Sequence, residues 1–165
     1  MTFRRYVALG DSFTEGVGDP DPSRPNGWRG WADRFAEALA VSAGPGFGYA
    51  NLAVRGRMMR RILDEQVEPA LALDPDLVTI YAGGNDLIRP RVDVDALGEV
   101  YDQAVGKLAA TGATVGLFTA FDPGVPSPDD YTLIVATAPA VTGYNVYCGA
   151  GPATPSASSF VGTAG

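Results

Sequence analysis

The sequence predicts an α/β domain in which a parallel sheet carries helices on both faces. Three observations lead there. Short apolar runs alternate along the chain with stretches of helical periodicity, the pattern of strands joined by right-handed crossovers. The runs are apolar nearly throughout, as strands covered on both faces must be. The first three of them each end in a polar, glycine-containing turn, where open α/β sheets bind their ligands.

Taken in order, Tyr6 to Leu9 is a short buried strand. A helix follows from Gly27 to Ala43, because Trp31, Phe35 and Leu39 recur every fourth residue and Gly44 stands just past the end. A second strand runs from Tyr49 to Val54. Met59, Ile62, Leu63, Gln66 and Val67 then outline a helical face that stops near Pro69. The clearest strand is Asp76 to Ala82, "DLVTIYA". Leu97, Tyr101, Ala104, Val105 and Leu108 give one side of a helix from Ala96 to Ala110, with Gly112 as its stop. Thr114 to Ala120 is a fourth strand, and Tyr131 to Ala138, "YTLIVATA", a fifth. The segment from Gly16 to Gly27, "GVGDPDPSRPNG", is a loop beside the first turn.

A chain of 165 residues suits one domain with a real core, and 46% hydrophobic content is ordinary for a globular protein. The net charge of -7 argues against nucleic acid and anionic membranes as partners. Arg55, Arg57, Arg60 and Arg61 form a local basic run that reads as a solvated helix face. One cysteine, Cys148, excludes an internal disulfide and a multi-cysteine zinc site, and it reads as a buried or incidental thiol. No cofactor or metal is called for. With no signal-peptide core and no membrane-length apolar span, a cytoplasmic location is expected.

The charge stops abruptly. All Lys and Arg lie between Arg4 and Lys107, and from Tyr131 to Gly165 there is no charged side chain. Gly, Ala, Ser, Thr and Pro dominate that stretch. The expected division is an α/β domain over residues 1–138, atypical at its C-terminal part, and an uncharged tail over 139–165. From about Gly149 the tail is expected to be irregular and weakly packed. Such a break marks a domain boundary, a low-complexity tail, or a chain-end artefact such as a shifted frame or a fusion.

The chemistry sits in the turns. Gly10-Asp11-Ser12 follows the first strand, "NLAVRG" ending at Gly56 follows the second, and Gly83-Gly84-Asn85-Asp86 follows the third. Each alone reads equally as a plain turn. In this order, each after a strand, they resemble the GDSL/SGNH hydrolase family, from about Val7 to about Pro123. The resemblance implies a flavodoxin-like three-layer fold with strand order 2-1-3-4. Adjacent strands lie about 4.8 Å apart, so this order would bring Gly56, Ser12 and Asn85 within roughly 10 Å of each other. It also implies a small ester or acyl substrate. Ser12 would be the nucleophile, and the N–H groups of Ser12 and Gly56 with the Asn85 amide would form the oxyanion hole. Glycine lets backbone approach a ligand closely, and asparagine donates without bringing a charge. Asp11 and Asp86 are expected to brace their turns, and Trp28, Trp31 and Phe35 to line core or pocket.

The resemblance fails at the base. The family's last block, Asp-x-x-His, has no counterpart, and the chain contains no histidine. Asp129 and Asp130 follow the fourth strand on the correct side of the sheet, but ordinary carboxylates are poor bases for an alcohol. Two functions therefore compete: an impaired serine ester hydrolase, and a non-catalytic module of the same fold that binds an acyl or carboxylate ligand. A nucleotide-binding reading is weaker, since there is no P-loop and no Gly-x-Gly-x-x-Gly opening a helix.

Overall fold

The computed structural model describes residues 2–118, 132–136 and 145–148. Its centre is a six-stranded sheet in the order β2-β1-β3-β4-β5-β6. The strands are β1 Arg5–Gly10, β2 Gly48–Asn51, β3 Leu77–Tyr81, β4 Thr114–Phe118, β5 Thr132–Ala136 and β6 Asn145–Cys148. The first four pair in parallel, in the expected order 2-1-3-4. The expected fifth strand is present as β5, but it runs antiparallel to β4, and β6 runs antiparallel to β5. β6 falls inside the segment expected to be a tail. Residues 149–165, where irregular structure was expected, lie outside the described residues, as do Asp129 and Asp130.

Side-chain alternation along the strands builds two cores. Val7, Leu9, Val78, Ile80, Val115 and Leu117 face one side and are at most 8% exposed. There they meet helices α3 Met59–Glu65, α4 Val67–Ala72 and α6 Val94–Ala109 through Met59, Ile62, Val67, Ala104 and Leu108. Each buried Val, Leu, Ile or Met among them contributes about 1.5–3 kcal/mol. Tyr6, Ala8 and Leu77 face the other way, against Ala32 and Ala36 of helix α2 Trp31–Ala43. Among the described residues no helix is long and apolar enough to cross a membrane.

β2 ends at Asn51 rather than Val54, and three helices depart from expectation, each for a local reason. α2 starts at Trp31 rather than Gly27, because the backbone folds back on itself first. A Cβ on Gly30 would stand 2.4 Å from Gly16 Cα, so the two glycines abut, and the Asp33 carboxylate accepts the Gly30 N–H at 3.0 Å. The helical face after Met59 does not end near Pro69. It breaks at Gln66 (φ -112°, ψ -30°) and resumes as α4, where Pro69 sits in the first turn and its missing N–H costs no helical bond. α6 begins two residues early because the Asp93 side chain caps it, accepting the Ala96 N–H at 3.0 Å. Two single-turn helices, α1 Ser12–Glu15 and α5 Gly84–Leu87, occupy what read as plain turns.

The end of β1 is the tightest place in the sheet. A Cβ at Gly10 would stand 2.4 Å from the Tyr81 carbonyl and 2.5 Å from Thr14 Oγ1. Gly98, on the exposed face of α6, has nothing within 4 Å of the same position. Gly10→Ala is therefore expected to destabilise by about 1–3 kcal/mol, while Gly98→Ala stabilises by about 0.5–1 kcal/mol. Thermal unfolding of the two variants checks both signs; equal shifts would refute the crowding at Gly10.

Candidate active site

β1 delivers the chain to Gly10, and Asp11 starts α1 by accepting the Phe13 N–H at 3.1 Å. Ser12 is thus the first helical residue, partly buried, where the backbone N–H has no intrahelical partner. The second turn is tied to the first. Val54 N–H donates to the Gly10 carbonyl at 3.2 Å, and Arg55 N–H to the Glu15 carboxylate at 2.6 Å. The Arg55 guanidinium also pairs with Glu15 at 2.5 Å, and it stands 5.8 Å from the Trp28 ring. Gly56 is exposed with φ +74°, a left-handed conformation that favours glycine, and nothing lies within 4 Å of where its Cβ would be. The third turn leaves β3 through Gly83 (φ +93°) and places Asn85 in α5.

Asn85 joins the three turns. Its Nδ2 donates to Asp11 Oδ2 at 3.1 Å and to the Arg57 carbonyl at 3.0 Å. Asp11 adjoins Ser12 and Arg57 adjoins Gly56, so one amide ties the neighbours of both. Both amide hydrogens are engaged, so an incoming oxyanion would have to compete with a carboxylate or a carbonyl. Asp86 accepts the Met59 N–H at 3.0 Å and anchors α5 to the start of α3. Tyr101 OH donates to the Ala82 carbonyl at 2.6 Å, under Gly83.

Asp11 is 2% exposed. Burial raises its pKa above the ordinary carboxylate range, the Phe13 N–H works against that rise, and the nearby Asp86 adds to it. Asp11, Glu15 and Asp86 all hold partners already, and none stands free as a base among the described residues. Nor is there a cluster of three or more metal-ligating side chains among them.

The aromatic residues divide. Trp28 stands by Arg55, whereas Phe35 meets the Tyr6 ring edge-on at 5.3 Å and Trp31 packs 4.7 Å from Phe118. Trp31 and Phe35, with Phe3, Leu77, Thr79 and Phe118, line an apolar cavity of about 290 Å³ on the α2 face. The sequence places Gln66 on a helical face without marking it as part of the site. It is 3% exposed, and its side chain bonds both polar groups of Gly10, through Oε1 to the N–H and Nε2 to the carbonyl, each at 2.9 Å. The available signal was an uncharged polar residue on an apolar helical face.

The GDSL-like lipase/acylhydrolase family profile matches residues 8–144 and so extends past Pro123, where the resemblance was expected to end. The uncharacterized protein YpmR of Bacillus subtilis (strain 168) is 32% identical over 88 residues, 50% of this chain and 32% of YpmR. Among solved structures, TesA is 28% identical with a TM-score of 0.54, covering 67% of this chain and 57% of its own. The psychrotrophic esterase EstA of Pseudoalteromonas sp., 19% identical, shares the fold at a TM-score of 0.56 over 69% of this chain and 58% of its own. The chain thus spans about a third of YpmR and under two thirds of either solved chain.

Asp11 makes the site's stability depend on pH. Its folded-state pKa is raised, so the folded state favours the protonated form, and that preference is lost as pH rises through the folded value. The melting temperature of Asp11→Asn minus that of the native chain should therefore increase from about pH 4 to pH 7. A difference that falls over that interval would mean Asp11 is stabilised as the anion.

Proposed function

The chain belongs to the GDSL-like lipase/acylhydrolase family, and on that premise we propose that it is a serine hydrolase of small-molecule esters, impaired by the lack of a histidine base. Ser12 Oγ attacks the acyl carbonyl, and the N–H groups of Ser12 and Gly56 with the Asn85 amide hold the oxyanion. The observation that supports this best is the bridge from Asn85 to Asp11 and to the Arg57 carbonyl, which brings the three named turns together. Fixed donors of this kind contribute about 3–4 kcal/mol each to the transition state. Loss of the base in a serine hydrolase costs on the order of a million-fold in turnover, and binding with an oxyanion hole still leaves roughly a thousand-fold over water.

A second reading is favoured by the same bridge and by the absence of histidine. With both Asn85 hydrogens engaged and no base, the fold would serve as a binding module for an acyl or carboxylate ligand. The two readings divide on turnover.

An activated ester such as p-nitrophenyl acetate is expected to be hydrolysed slowly, because its leaving group departs unprotonated. Alkyl esters should be nearly inert, since a leaving alkoxide needs a general acid. The slow rate should rise with pH as hydroxide replaces the base. It should fall by about 100-fold in Asn85→Ala and to background in Ser12→Ala. Fast alkyl-ester turnover lost in Ser12→Ala would reveal a base, with Asp129 and Asp130 the first residues to change. No Ser12-dependent release from either ester, with hexanoate binding weakened by Asn85→Ala, would favour the binding module.

A further inference from the structure

We propose that Gln66 is the positioning residue of this site: its buried carboxamide grips Gly10 by both its backbone N–H and its carbonyl and sets where Ser12 and Gly56 stand. The proposal rests on the roles given above to Ser12 and Gly56.

A carboxamide carries one acceptor and paired donors on a planar group, much like a peptide unit. Gln66 uses it as a strand would. Past β2 the parallel ladder continues with Leu52 N–H on the Ala8 carbonyl and Val54 N–H on the Gly10 carbonyl, both on the side where β2 lies. At Gly10 the N–H leaves the ladder and goes to Gln66 Oε1 at 2.9 Å, while Gln66 Nε2 joins Val54 N–H on the same carbonyl. The chain after β2 is thereby released from β1 early enough to turn at Gly56.

Gly10 is a node. Two residues on stands Ser12, and through the Val54 bond it holds the turn that contains Gly56. Tyr81 and Thr14 crowd it so closely that it carries no side chain. Gln66 itself is placed by the break between α3 and α4, so the irregularity of that helix pair delivers a polar group to the end of β1. Removing the carboxamide leaves a buried N–H without a partner and lets the two peptide planes that meet at Gly10 turn. The two backbone donors on either side of it then lose their common aim, and misplacement of about 1 Å costs roughly 100-fold in rate.

The test uses the full chain with Gln66→Met and Gln66→Glu, reading p-nitrophenol release and Ser12 acylation by mass from pH 5 to pH 9. Gln66→Met should react about 100-fold more slowly than the native chain at every pH. Gln66→Glu should match that loss at pH 9, where the ionised carboxylate cannot donate to the Gly10 carbonyl. It should recover toward the native rate at pH 5, where the protonated carboxyl again offers one donor and one acceptor, burial having raised its pKa. Asp11 is common to all three chains, so its titration cancels in the Gln66→Met ratio, whereas a carboxylate at position 66 couples to it and the Gln66→Glu ratio is read against that of Gln66→Met. Hydrogen exchange, which needs no reaction, should quicken across residues 9–16 and 53–57 in Gln66→Met and stay unchanged across 104–109. If Gln66→Met does not fold, the pH-dependent recovery of Gln66→Glu decides. A flat Gln66→Glu ratio, a native rate in Gln66→Met, or unchanged exchange at 9–16 would each overturn the proposal. If the native chain shows no Ser12-dependent release, the hydrolase reading has failed and exchange alone judges Gln66.

Discussion

One nitrogen atom, Nδ2 of Asn85, holds the top of this sheet together. Its two hydrogens reach Asp11 beside Ser12 and Arg57 beside Gly56, so turns distant in sequence become one surface. The sheet order makes this geometrically available, because β1 lies between β2 and β3. Strand pairing alone would leave three loops at neighbouring strand ends, each free to choose its own conformation. The amide couples them, and Asp86 on the Met59 N–H and Glu15 on Arg55 close the remaining gaps.

That arrangement carries an electrostatic tension. Asp11 is buried, and its proton affinity is raised by burial and by Asp86 nearby. Its oxygens nevertheless cap α1 and orient Asn85, which are acceptor roles that a carboxylate fills best. The carboxylates around Ser12 thus serve to hold donors in place. Among the described residues, the polar groups around Ser12 are thus engaged with one another: Asp11 with the Phe13 N–H and Asn85, Glu15 with Arg55, and Asp86 with the Met59 N–H.

Much of the fold was legible because β1, β3 and β4 are short apolar runs and α6 has a clean periodic face. The three motif turns were legible because they come in order, each after a strand, although each alone reads as a plain turn. What escaped was set by contacts distant in sequence. The four-residue helices α1 and α5 carry too little sequence for periodicity to register. The late start of α2 follows from Gly30 meeting Gly16, and the α3–α4 break falls at a glutamine whose partner lies 56 residues away. The direction of β5 depends on which way the chain returns to β4, and apolar patterning is the same either way. Engagement of both Asn85 hydrogens is likewise invisible in a motif that names only the residue.

The abutting of Gly16 and Gly30 has a consequence for how such a molecule diversifies. The backbone between them leaves and rejoins the domain at nearly one point, with Pro20 and Trp28 bridged inside it and Arg29 N–H on the Asp19 carbonyl. A loop closed at its own neck can change length at little cost in closure entropy, and here Arg24 and Arg29 tie it to Glu37 of α2. It lies beside the Ser12 turn, with Trp28 reaching Arg55. New recognition surfaces can therefore be grafted at the rim of the site while the hydrogen-bonded platform beneath keeps its shape.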